Sequence, residues 1–81
     1  MQIVYSARFL SSYVEAPLEI RKRCDKQIQF LSDDIRHPSL RAKKFDEQRS
    51  IWQGRVNRSW RFYFTIDGDT YTMIDVIPHP K

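Results

Sequence analysis

An α+β domain is predicted by three features of the sequence. Apolar residues recur at helical spacing through the first half, they alternate strictly from about residue 51 onward, and no linker or repeat separates the two regions. The expected architecture is a short N-terminal strand, then a helical hairpin packed on one face of a C-terminal antiparallel β-meander. With 81 residues there is room for one core, so residues 1–81 are read as a single domain. A core this small leans on large rings, and 14% of the residues are aromatic.

Residues 2–5, Gln-Ile-Val-Tyr, are rich in β-branched and aromatic types and read as the first strand. Ser6 caps a helix that begins at Ala7, in which Phe9, Leu10, Tyr13 and Val14 form one apolar stripe. Pro17 ends that helix and can sit in the first turn of the next. In the second helix Ile20, Cys24, Ile28, Leu31 and Ile35 line one face, while Arg21, Lys22, Arg23 and Lys26 lie mostly on others. Cys24 therefore reads as a packing residue rather than a nucleophile. His37-Pro38 stops the helix, with His37 as a cap or turn residue, and Lys43 and Lys44 follow in a basic loop.

From there the period is two. Strand 51–56 carries Trp52, Gly54 and Val56 in one phase; the next carries Trp60, Phe62, Phe64 and Ile66 toward the helices and Arg61 and Tyr63 away from them. Asp67-Gly68-Asp69 marks a turn, and a last strand over about 71–77 offers Ile74 and Val76 as its inward pair.

Composition narrows the function. No run nears the roughly 20 apolar residues that cross a bilayer and no signal peptide opens the chain, so no membrane is expected. One cysteine cannot form an internal disulfide, which suits a reducing cytoplasm. One Cys and two His, His37 and His79, are too few for a closed zinc site. Gly54 and Gly68 cannot build a dinucleotide or phosphate loop, so no metal and no cofactor are expected. The net charge is +4, and it is concentrated. Residues 41–63 hold seven Lys/Arg against Asp46 and Glu47, interleaved with Trp52, Trp60, Phe62 and Tyr63. That pattern fits either a nucleic-acid surface or a solvated face.

Register turns the pattern into a candidate site. A three-residue loop at 57–59 pairs Val56 with Trp60, Gly54 with Phe62 and Trp52 with Phe64, so that inward meets inward. It also sets Arg55 directly opposite Arg61 on the face away from the helices. Opposed like charges are destabilising by a few tenths to about 1 kcal/mol, unless an anion sits between them or a nearby carboxylate offsets them. Guanidinium groups suit phosphate, being planar and donating in pairs. A loop at 67–69 would pair Phe62 with Ile74 and Arg61 with Asp75. Tyr63 beside the arginines can stack on a base or simply fill a strand position, with Gln53 facing it. His79 has the parity of Asp75 and Ile77 and is the candidate acid/base.

The runs His37-Pro38-Ser39-Leu40-Arg41-Ala42-Lys43-Lys44-Phe45 and Ile51-Trp52-Gln53-Gly54-Arg55-Val56-Asn57-Arg58-Ser59-Trp60-Arg61-Phe62-Tyr63-Phe64 resemble the RelE/ParE toxin superfamily. The likeness continues through Asp67-Gly68-Asp69 to Val76-Ile77-Pro78-His79 and covers nearly the whole chain. It implies the toxin of a type II toxin–antitoxin system, closer to the RelE-like mRNA interferases. Those endoribonucleases cut mRNA in the ribosomal A site by 2′-hydroxyl attack on the adjacent phosphate, without a metal, and so inhibit translation. The implied partners are a small antitoxin protein and ribosome-bound mRNA. On this resemblance Arg55 and Arg61 hold the phosphate, Lys43 or Lys44 matches a basic position near the reacting oxygens, and His79 falls in the C-terminal acid/base segment. Lys44 is assigned to catalysis, and Lys43, Arg41, Arg58, Tyr63 and Lys81 to RNA binding. Many RNase members carry a tyrosine just after the terminal strand, where Pro80 and Lys81 stand here, and Asp46 and Glu47 are only near the place of a general base. The alternatives are a ParE-like inhibitor of DNA gyrase and a catalytically inactive RNA-binding module of the same fold.

Overall fold

A computed structural model describes residues 1–80; the RNA contact expected of Lys81 lies outside them. The elements run β1 (Gln2–Tyr5), α1 (Ala7–Glu15), α2 (Leu18–Asp33), a 3-10 turn (Pro38–Leu40), β2 (Lys43–Asp46), β3 (Ile51–Arg55), β4 (Trp60–Asp67) and β5 (Thr70–Pro78). One mixed sheet has the order β1-β5-β4-β3-β2, with β1 parallel to β5 and the other pairs antiparallel. This is the expected strand, helical pair and meander, with one strand added. The basic loop before the sheet is in fact β2, an edge strand. Lys43-Lys44-Phe45-Asp46 shows no clean alternation, and lysines on an edge strand discourage pairing with other chains.

Ser6 joins β1 to α1. Its Oγ accepts from the Phe9 N–H at 3.0 Å as a helix cap and donates to the Ile74 carbonyl at 3.0 Å. Of the expected stripe on α1, Phe9 is buried and Tyr13 half-buried, but Leu10 and Val14 stand exposed. The helix lies along β5 and presents one ridge to it, which leaves the other uncovered. α2 ends at Asp33, short of His37; Asp34 caps it, its N–H bonded to the Phe30 carbonyl, and His37 caps the following turn. Cys24, Ile28 and Leu31 are buried against the inward sheet residues Val56, Phe62, Phe64, Met73 and Val76. Burial pushes the Cys24 thiol up to about 12, the state of an inert core thiol rather than a nucleophile.

The register of β3 on β4 is the expected one: Trp52 faces Phe64, Gly54 faces Phe62 and Arg55 faces Arg61. The turn into β5 differs. Asp67 pairs with Thr70, so Gly68 and Asp69 alone make the turn, with Gly68 at φ +60. This shifts the ladder by one residue, and Tyr71 and Met73 take the inward positions assigned to Ile74. A bulge at Ile74, between the Phe64–Met73 and Tyr63–Asp75 pairs, then restores Val76 to the inward face. Arg61 faces Ile77, not Asp75. Apolar residues on both faces of β5 made the two registers indistinguishable by pattern.

Two close fits hold the β3–β4 hairpin. A Cβ at Gly54 would come within 2.5 Å of Phe62 Cε1 and closer still to Cζ, so glycine is what lets the ring lie across the neighbouring strand. Gln27, fully buried on α2, donates from Nε2 to the Arg55 carbonyl at 2.9 Å and the Ser39 carbonyl at 3.2 Å. Gly54→Ala is expected to lower stability by about 1–3 kcal/mol through overpacking, read as a lower midpoint in thermal unfolding. Gln27→Leu keeps the bulk but removes the donor from two part-buried carbonyls, a loss of about 1–3 kcal/mol in urea unfolding.

Candidate active site

The hairpin loop is built around Asn57. Its side-chain oxygen accepts from the Ser59 and Trp60 N–H groups at 2.8 and 2.9 Å, and the Val56 N–H donates to the Trp60 carbonyl at 3.0 Å. Arg61 is held over this loop. Its Nη1 reaches the carbonyls of Asn57 (2.6 Å), Trp60 (3.0 Å) and Arg58 (3.3 Å), so Nε and Nη2 have no protein partner among the described residues. A guanidinium tied at one nitrogen keeps part of its donor fork fixed in direction and free for an anion.

On the face away from the helices, Arg41, Lys43, Gln53, Arg55 and Arg61 line an open hollow of about 290 Å³. Arg41 reaches it from a left-handed backbone position, φ 46, at the end of the 3-10 turn. None of these cations takes part in an ion pair among the described residues, where the pairs are Arg8–Asp75, Arg36–Asp34, Lys44–Glu47 and Arg49–Asp46. Arg55 feels the crowding: desolvation, then the charges of Arg41, Arg61, Arg58 and Arg23, push it below the ordinary arginine value. It stays protonated, as arginine does in proteins. A concentration of positive charge without carboxylates is an electrostatic site for an anion. No three His, Cys, Asp or Glu side chains cluster as a metal site would need among the described residues.

The carboxylate expected to face Arg61 is elsewhere. Asp75 lies opposite Tyr63, and its oxygens take the Arg8 Nε at 3.0 Å and the Ser12 hydroxyl, both from α1. The two-residue turn and the β5 bulge together produce this displacement, each shifting the register by one residue.

The other expected residues divide. Arg41, Lys43, Arg55 and Arg61 share the hollow. Lys44, assigned to catalysis, points to the opposite face: it is opposite Trp52 in the ladder, its Nζ lies 5.3 Å from that ring centre and 3.9 Å from Glu47 Oε2. Alternation along β2 decides this, so Lys43 replaces it as the lysine of the hollow. Tyr63 packs its ring against Phe45, centroids 4.9 Å apart, in a separate apolar hollow with Ile51, Ile74 and Ile77. Burial raises its hydroxyl above the ordinary tyrosine value. His79 is exposed just beyond β5, its N–H bonded to the Ser59 carbonyl at 2.6 Å, and it does not line the arginine hollow. Arg58 lines a neighbouring cavity that shares Arg41 and Arg55 with the hollow. Two residues escaped the sequence pattern: Gln27, which fixes the carbonyl of Arg55, and Arg23, whose Nε donates to the Val56 carbonyl at 3.2 Å. A polar residue at a core-facing helical position was the available signal for Gln27.

No protein-family model matches the sequence, and no curated protein matches it by sequence. Solved structures do match. A YoeB/ParE toxin from Agrobacterium tumefaciens aligns over 99% of this chain and 100% of its own, with a TM-score of 0.81 and 13% identity. A RelB–RelE antitoxin–toxin complex from Methanococcus jannaschii matches with a TM-score of 0.76 and 20% identity, over 93% of this chain and 88% of that one. YafQ from Escherichia coli matches with a TM-score of 0.80 and 11% identity, over 96% and 92% of the two chains. An N-terminal strand, two helices and a mixed five-stranded sheet in this order give the chain the fold of the RelE/ParE toxin superfamily.

Proposed function

We propose that this chain is the toxin of a type II toxin–antitoxin system and that it cleaves ribosome-bound mRNA in the cytoplasm. The observation that carries the reading is the acid-free hollow in which Arg55 and Arg61 stand directly opposed, with Lys43 at its edge. Two facing guanidiniums are unfavourable in the empty fold and favourable around a phosphate.

In the reaction, the ribose 2′-hydroxyl gives its proton to solvent water as its oxygen bonds to the adjacent phosphorus. The bond to the 5′-oxygen breaks and that oxygen takes a proton from solvent water, leaving a 2′,3′-cyclic phosphate and a 5′-hydroxyl. The chain's contribution is electrostatic: Arg55 and Arg61 hold the non-bridging oxygens as charge builds on the phosphorane, and Lys43 adds a third cation. Preorganised donors of this kind are worth about 10²–10³-fold in rate. His79 lies outside the hollow and is given no part in the step. An antitoxin partner is supported by fold neighbours seen in complex with theirs, such as the Methanococcus RelB–RelE pair. Acidic groups on the partner would complement residues 41–63.

Primer-extension mapping of transcripts after induction in bacterial cells tests the reading. New 5′ ends within translated frames and growth arrest are expected. Arg55→Ala and Arg61→Ala are each expected to reduce cleavage about 10²–10³-fold. Lys43→Ala should impair cleavage more than Lys44→Ala. Intact transcripts with a DNA-damage response would overturn the ribonuclease reading in favour of gyrase inhibition; neither cleavage nor arrest would leave an RNA-binding module.

A further inference from the structure

Beyond Arg55 the surface turns a corner into a second cavity of about 430 Å³. Its charged walls are Arg23 from α2, Arg41, Arg55 and Arg58, with Ser39 and Asn57 between them. Arg41 and Arg55 belong to both cavities and form the partition between this cup and the sheet-face hollow. The two cavities are therefore consecutive stations on one continuous basic track.

The cup is built rather than incidental. Gln27 ties α2 to the carbonyls of Ser39 and Arg55, and Arg23 Nε donates to the Val56 carbonyl, so three elements are locked around it. The same contact holds the exposed Arg23 side chain against the hairpin. None of its four arginines has an ion-pair partner among the described residues. Arg41 holds a backbone conformation that non-glycine residues rarely adopt, of the kind that tends to mark binding sites.

We propose that this cup, centred on Arg23 and Arg58, binds a second phosphate of the same RNA strand, adjoining the one held between Arg55 and Arg61. The proposal rests on the reading of that pair as a phosphate site. A polynucleotide is favoured over an acidic protein segment because it carries its anions in series along one strand, and the two cation clusters adjoin through the shared Arg41 and Arg55. The substrate is thus a single strand that passes over the partition, and the cup sets which link of the strand lies in the hollow.

Chemical-shift titration with 2′-O-methyl oligonucleotides tests this without cleavage. A dinucleotide carries one phosphodiester and a trinucleotide two. The trinucleotide is expected to bind about tenfold tighter, the increment of one further charge-assisted contact. Arg23→Gln and, separately, Arg58→Gln bring the trinucleotide-to-dinucleotide ratio close to one, and the salt dependence of trinucleotide binding falls by about 0.7 in log–log slope. Arg58 lies in an exposed loop, so its variant reports even if replacing Arg23 disturbs the hairpin. A ratio that survives both substitutions overturns the cup, as does occupation of the cup by polyglutamate but not by the trinucleotide. Arg61→Gln separates the two levels of the argument. It weakens both oligonucleotides together if the sheet-face hollow holds phosphate, and unchanged dinucleotide binding would count against the proposed function itself.

Discussion

Two guanidinium groups directly opposed on neighbouring antiparallel strands repel one another, at a cost of a few tenths to about 1 kcal/mol. A small core has little stability to spare for such a pairing. The fold accepts it at Arg55 and Arg61 because apolar burial on the opposite side of the same strands outweighs the repulsion and fixes the register that creates it. Val56, Phe62 and Phe64 are buried there, and the Phe62 ring lies over Gly54 with no room for a side chain. Slipping by one residue to separate the arginines would turn these residues into solvent. Burial on one face thus enforces charge crowding on the other.

A second constraint keeps the crowding from being neutralised. Had β5 continued in even alternation with its inward residues matched to those of β4, a carboxylate would have stood opposite Arg61. Instead the two-residue turn at Gly68-Asp69 and the bulge at Ile74 advance β5, and Asp75 is taken up by Arg8 and Ser12 of α1. The helix that borders β5 removes the nearest acid from the hollow. A carboxylate bonded by α1 anchors the helix, and Arg55 and Arg61 are left without an ion pair among the described residues.

The same logic explains why a glutamine lies in the core. Where β3 ends and the 3-10 turn passes, the Gln27 amide reaches the Ser39 and Arg55 carbonyls from α2. A buried carbonyl without a donor is strongly unfavourable, and the Gln27 amide serves both. The backbone that carries Arg55 is therefore fixed from beneath, while Arg61 is fixed from the side by the loop carbonyls of Asn57, Arg58 and Trp60. Each arginine owes its position to a different element.

Much of this was legible in the residues. The switch from helical spacing to alternation fixed the class of fold, and matching inward residues across a short loop fixed the opposition of Arg55 and Arg61, because alternation ties register to burial. The likeness of Arg55-Val56-Asn57-Arg58-Ser59-Trp60-Arg61 to the RelE/ParE superfamily pointed to the fold that the structure has. What the sequence could not supply were features decided between distant segments. β2 forms because Lys43 and Lys44 meet the free edge of β3, and that pairing puts Lys43 in the hollow and sends Lys44 to Trp52. The β5 bulge depends on how a glycine turn is reconciled with the core, and β5 bears apolar residues on both faces, so no pattern could choose its register. Gln27 lies 28 positions from the Arg55 carbonyl that it holds, and Arg23 lies 33 from that of Val56. Local periodicity carries information about which face a residue takes; which segments meet there is settled by tertiary packing.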